Sequence, residues 1–220
     1  MPTIYLVRHG ENPANLSKEF SHRHVDYALN DKGRLQAEQT AAVFVGQSIA
    51  AVYSSPLLRA VQTAAIIAGT LGVPTHVIEE FREVNVGSLE GQTPTRELWE
   101  QHDNVFRAWL GGQPETTFPN GEDHHRLIAR MQAGLRQVLT LTPDQPSIIV
   151  GHGGIFTATL AAYCADIDLL AIIRAPNHNC SITEIDLEQR NGQVVGQLRR
   201  WADCDHLSGE AARLTNAQFD

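Results

Sequence analysis

Residues 4–11 read Ile4-Tyr5-Leu6-Val7-Arg8-His9-Gly10-Glu11. An apolar, β-rich run stops abruptly at Arg8-His9-Gly10. A buried parallel strand with that ending delivers its last side chains to the carboxyl edge of a sheet, where open α/β sheets bind ligands. A second run, Ser147-Ile148-Ile149-Val150, ends the same way in Gly151-His152-Gly153-Gly154. If both strands are central and parallel, the two imidazoles meet at one edge and mark a candidate site by position. A third segment, Ser54-Ser55-Pro56-Leu57-Leu58-Arg59, follows a strand over 50–53 and opens a helix. Arg59 falls in the first turn of that helix, where a cation opposes the dipole and an anion at the terminus would favour it.

Outward from these segments, strands alternate with helices. Residues 12–30 are polar and read as a loop over the strand end. Asp31 is placed to cap a helix ending by Gly46. Pro56 suits the first position of a helix over 57–71 that stops at Gly72. A short strand is expected at 75–78, a long helix at 122–141, a helix at 155–165, and strands near 181–187 and 194–201. Residues 84–121 break the rhythm with eight Gly and Pro residues around one helix at 95–110, so they read as an insertion over the sheet. The pattern predicts a mostly parallel sheet covered on both faces. The stretch 208–220 is polar with little periodicity and is expected to be a loosely held tail.

A chain of 220 residues can bury one sizeable core, which places a single domain at about 1–207. The formal net charge of -8 argues against a nucleic-acid surface. Three widely spaced cysteines without a C-x-x-C pair fit a reducing compartment. The most apolar stretch, 155–173, is interrupted by Asp166 and Asp168 and falls short of the ~18 uninterrupted apolar residues of a membrane span. A cytoplasmic protein without membrane or nucleic-acid partners is expected, and a homodimer is left open. His22, Arg23 and His24 lack a spaced third metal ligand, so no metal site is expected; either His22 or Arg23 touches substrate or all three are solvated. Trp99, Phe106 and Trp109 recur at helical spacing and serve either as core or as the mouth of a substrate pocket. Glu83, in Glu79-Glu80-Phe81-Arg82-Glu83, reads by itself as a solvated acid.

Taken together these residues resemble the histidine phosphatase superfamily, in its phosphoglycerate-mutase-like branch. The resemblance rests on Arg8-His9-Gly10-Glu11 with Asn15; Leu29-Asn30 with Gly33 and Gln36-Ala37; Ser54-Ser55-Pro56-Leu57 with Arg59 and Gln62-Thr63-Ala64; Glu83 with Gly87 and Glu90-Gly91; and Gly151-His152-Gly153-Gly154. It implies a three-layer α/β/α sandwich with a mostly parallel sheet, one antiparallel strand and a helical insertion over the active site. It also implies that His9 is a nucleophile that becomes phosphohistidine and that Glu83 is the proton donor. Arg8, Asn15, Arg59, His152 and Gly153 would form the phosphate pocket, with Ser21 and His22 beside the substrate.

The physical chemistry is consistent with that assignment. A phosphate monoester carries nearly two negative charges, and two guanidiniums can each present a fork of donors to it. A protonated His152 would add a third positive group, enough charge to stand in for a metal, so no cofactor is expected. His9 must attack through a neutral nitrogen, and a carbonyl near Gly10 is the expected partner for its other nitrogen. The expected activity is a phosphomonoester phosphatase acting on a small phosphorylated metabolite. A cofactor-dependent phosphoglycerate-type mutase is the alternative, weakened because Arg96, Arg107 and Arg126 form no adjacent pair and no lysine accompanies them. A catalytically inactive phosphate-binding module is the minor alternative.

Overall fold

The strand that ends at Arg8 (β1, Thr3–Arg8) lies between β4 (Ser147–Gly151), which runs parallel to it, and β5 (Ile182–Arg190), which runs antiparallel. On the far side of β4, β2 (Val52–Ser54) and then β3 (Thr75–Val77) continue the parallel ladder. β6 (Gln193–Asp203) pairs antiparallel with β5 and closes the other side. The order is β3-β2-β4-β1-β5-β6, so β5 alone opposes the other five strands. The structure is a computed structural model and describes residues 1–213 and residue 215.

Alternation along the central strands creates two cores. Leu6, Tyr53 and Ile149 face one side, against Leu127, Met131, Leu135 and Val138 of α5 (His124–Leu141). Val7, Val52, Ile148 and Val150 face the other, against Ala41 of α2 (Asp31–Val43) and Ala60, Ala64 and Ile67 of α3 (Leu58–Leu71). Every residue of β4 is buried, as a parallel strand covered on both faces requires. The insertion contributes α4 (Arg96–Leu110), whose Leu98, Val105 and Trp109 join the first core. These layers are the α/β/α sandwich with one antiparallel strand that the sequence implied.

Register places the site. Val7 pairs with Val150 and Arg8 with Gly151, so His9 and His152 follow matched positions at one sheet edge. Gly10 and Gly33 let the chain after β1 press onto the start of α2: a Cβ on Gly10 would lie 2.4 Å from Gly33 O, and one on Gly33 2.0 Å from Glu11 O.

Several local expectations are corrected. The 12–30 loop contains a helix, α1 (Pro13–Ser17), because Asn12 and Asn15 cap each other's backbone N–H groups and Pro13 pre-sets the first turn. Asn30, not Asp31, caps α2, accepting Gly33 N–H at 2.8 Å. Pro56 lies before α3, whose first residue is Leu58. The helix expected at 155–165 starts earlier, as α6 (Gly153–Thr159), and α7 (Leu169–Arg174) was not expected; Asp168 caps it through Ala171 N–H. The start of the polar tail is packed: Ala211 is fully buried beside Ala37 and Leu207, and its carbonyl accepts from Gln36 Nε2. Residues 214 and 216–220 of that tail lie outside the described residues. Among the described residues no helix is long and apolar enough to cross a membrane.

Candidate active site

The matched strand ends bring the two imidazoles to a ring-centroid distance of 5.2 Å. His9 Nδ1 lies 2.7 Å from Gly10 O, which fixes the proton on Nδ1 and leaves the Nε2 lone pair free for other partners. Arg59 Nε donates to that Nε2 at 3.0 Å. The same guanidinium donates through Nη2 to His152 Nδ1 at 3.1 Å, so His152 carries its proton on Nε2, which meets Ser55 Oγ at 2.7 Å. Arg59 thus links the ends of β1, β2 and β4 from the first turn of α3.

That first turn has no side-chain cap of its own. Asp26 supplies one from the preceding loop, accepting Leu58 N–H at 2.9 Å and lying 3.8 Å from Arg59 Nη1. Burial pushes the Arg59 guanidinium down to about 10, which leaves it charged at neutral pH. Burial first, and then the two arginines, hold His9 well below the ordinary imidazole range. His152 is lowered in the same way, by burial, Arg59, His9 and Arg8. A buried ring facing a guanidinium is held neutral, so His152 by itself brings no third positive charge.

Neutral folded imidazoles set a pH dependence. The unfolded chain takes up protons at these histidines below about pH 6.5, whereas the folded protein resists doing so. Their contribution to stability is present above that pH and lost as the pH falls toward the depressed folded values. Melting temperatures measured from about pH 8 to 5 are expected to fall below about pH 6.5, and less steeply in a His152→Asn variant. An equal slope in the variant would remove His152 from this account.

Arg8, His9, Asn15, Ser21, Arg59, Glu83 and Gly153 line one cavity of about 300 Å³. His152 lies behind it, reached through Arg59. His22 is not among its lining residues: it is buried, with Nδ1 2.8 Å from Glu83 O, and serves the backbone. Glu83 is held at the start of α6, where its carboxylate accepts N–H bonds from Ile155 at 2.8 Å, Gly154 at 3.1 Å and its neighbour Val84 at 2.8 Å. A Cβ on Gly154 would sit 2.7 Å from Glu83 Oε1, so only glycine admits the carboxylate there.

Residues without a role in the sequence reading line the cavity, as Asn12 and Asn177 do, or support it from behind, as Asn179 does. Asn179 Nδ2 donates to His9 O at 2.9 Å and to Asn15 Oδ1 at 3.1 Å. Arg8 donates from Nη1 to Asn177 O. Among the described residues that line the cavity, Arg8 Nε, Asn12 Nδ2 and Asn177 Nδ2 are buried donors without a partner, and Glu19 Oε2 is a buried acceptor without one. Buried N–H groups left unpaired are costly, and a convergent set of them is what an oxyanion satisfies. Amide side chains carry no spacing signal, so nothing in the sequence singled them out.

Glu90 belongs to a quoted motif, and its position gives it a task. Its Oε1 accepts four consecutive backbone N–H groups, of His22, Arg23, His24 and Val25, at 2.6–3.2 Å. Burial pushes this carboxyl up, but the four donors more than offset it and hold it below the usual range. The clamped loop in turn offers Ser21 Oγ and O to Arg59 at 2.7 and 2.9 Å.

At the end of a sandwich sheet, a neutral His9, the guanidiniums of Arg8 and Arg59 and a set of unpaired donors share one cavity, with His152 behind Arg59. A family model for the histidine phosphatase superfamily (branch 1) matches residues 4–199. The chain belongs to that superfamily. A probable phosphoglycerate mutase GpmB of Cronobacter sakazakii is 30% identical over 212 residues, covering 96% of this chain and 97% of that protein. A putative phosphoserine phosphatase 2 of Hydrogenobacter thermophilus is 31% identical over 198 residues, 89% and 94% of the two chains. Among solved structures, YhfR of Bacillus stearothermophilus superposes with a TM-score of 0.76 at 26% identity, covering 94% of this chain and 99% of that one.

Proposed function

We propose that the protein is a metal-independent phosphomonoester phosphatase that works through a phosphohistidine on His9, with a small phosphorylated metabolite as substrate. The observation that carries this reading is the coincidence, in one cavity, of a neutral His9 Nε2 with the unpaired donors of Arg8, Asn12 and Asn177. Arg59 Nε donates to the lone pair of His9 Nε2. An incoming phosphate takes that donor, which frees Nε2 to attack phosphorus and spreads charge over the equatorial oxygens.

The step balances as follows. A bond forms between His9 Nε2 and phosphorus, the ester P–O bond breaks, and the departing alkoxide takes a proton from Glu83. Water then loses a proton to Glu83 as its oxygen attacks phosphorus, the N–P bond breaks, and inorganic phosphate leaves. The bound dianion also favours a protonated His152, which supplies the third positive group only when it is needed.

Incubation with a phosphomonoester and a chelator, followed by denaturation, tests this. Inorganic phosphate and an acid-labile, alkali-stable phosphoryl group on the protein are expected; sustained turnover without that phosphoryl group would refute the mechanism. The names of the GpmB relatives keep the mutase as a second reading. Given 3-phosphoglycerate and its bisphosphate primer, the protein is expected to release phosphate, and rapid formation of 2-phosphoglycerate would decide for the mutase. Glu83→Gln is expected to slow alkyl phosphates by about 10²–10⁴-fold and aryl phosphates far less, because an aryloxide leaves without a proton. Equal losses would remove Glu83 from the proton-donor role.

A further inference from the structure

Beyond the phosphate end, the cavity changes character. Phe20, Trp99, His102 and Phe106 form its wall, with Phe20 and Trp99 rings 4.6 Å apart and His102 and Phe106 rings 4.5 Å apart. Trp99 spends its single donor on Lys18 O at 3.0 Å, so it offers the cavity carbon surface. Apart from Arg8, Arg59 and Glu83, the charged lining residues described are Lys18 and Glu19, one of each sign.

A second cavity, also about 300 Å³, abuts the first: His102, Phe106 and Thr157 line both. Trp109, Leu110 and Ile173 complete its apolar surface. Leu110 and Ile173 are each 40% exposed, which leaves apolar carbon facing an unfilled space. Of its polar lining residues, Asp103 pairs with His102 Nδ1 at 2.9 Å, Arg107 Nε donates to Asp103 O at 3.3 Å, and His124 Nε2 lies 2.8 Å from Ala158 O.

We propose that the second cavity is a leaving-group subsite, and that the substrate is the phosphate monoester of an alcohol carrying an extended apolar, ring-bearing group that passes the His102–Phe106–Thr157 divide. This rests on the phosphatase reading above and adds the substrate class to it. A leaving group of this kind stacks on the first wall and buries its far end against Trp109, Leu110 and Ile173. A short polyhydroxy or amino-acid alcohol would leave both apolar spaces wet.

The test is a series of primary alkyl phosphates whose alkoxides are similarly basic, so that differences report binding and not chemistry: ethyl, 2-phenylethyl, 4-phenylbutyl and 6-phenylhexyl phosphate, alongside phosphoserine and 3-phosphoglycerate. kcat/KM is expected to rise about tenfold or more from ethyl to phenylethyl, then by up to about fourfold per buried methylene until the second cavity is full. Ile173→Asn, at a half-exposed position, is expected to flatten the chain-length slope, as is Ala158→Phe, which fills the same cavity. A flat or falling series, or phosphoserine or 3-phosphoglycerate as the best substrate, overturns the proposal while leaving the phosphatase reading intact. Failure to hydrolyse any member, ethyl phosphate included, would overturn the phosphatase reading as well.

Discussion

His9→Ala is expected to lower turnover by about 10⁵-fold or more, the scale on which loss of a covalent nucleophile is felt, and to abolish the phosphoryl group on the protein. The fold should survive. The backbone at this position is held independently of the ring: its N–H donates to Gly151 O at 3.0 Å and its carbonyl accepts from Asn179 at 2.9 Å. What the substitution removes is the acceptor of Arg59 Nε, and that donor faces a cavity water can enter. Circular dichroism and a melting curve close to those of the parent protein would confirm that only chemistry was lost. A phosphoryl group still trapped on the alanine variant, or a rate within tenfold of the parent, would show that another residue attacks.

Arg59→Ala is expected to cost at least about 10³-fold in kcat/KM, because loss of even one preorganised donor costs about 10²–10³-fold and Arg59 supplies several. Its guanidinium touches His9, His152 and Ser21 together. Arg59→Lys should recover little: an ammonium is a point charge on a flexible stem and cannot reproduce the flat fork that reaches three partners at once. Unlike His9→Ala, these variants should also lose stability, since Asp26, Ser21 and His152 are left facing an empty buried space. Kinetics and thermal unfolding of both variants check this. Near-full activity in the lysine variant would mean that charge alone, without geometry, suffices.

Much of this arrangement is visible in the residue order, for specific reasons. Val7 and Val150 end buried runs at glycines, and parallel strands of that kind can only deliver His9 and His152 to one edge. Arg59 is conspicuous because a cation in a first helical turn needs a compensating group, which Asp26 provides. Other parts are hidden because their cause is tertiary. Asp168 before Leu169-Leu170-Ala171-Ile172-Ile173 is a readable cap, yet the surrounding apolar stretch conceals where one helix stops and the next begins. Asn12 and Asn177 matter through amide atoms that remain unpaired, and Asn179 through the two acceptors it reaches, properties of packing alone. His22 stands beside the site in sequence but turns inward, where its Nδ1 shares the carbonyl of Glu83 with Arg130 Nη2. The neutrality of His152 follows from burial against a guanidinium, which no spacing announces.

The reversal of β5 brings the chain back across the end of β1, so that Asn177 finishes a cavity begun at Arg8 while Asn179 holds the carbonyl of His9. His9 and the amide that holds its carbonyl stand 170 positions apart. The pocket therefore cannot assemble until β5 has docked beside β1, and such long-range pairing is slow. In refolding, recovery of phosphate binding is expected to lag behind recovery of helix content.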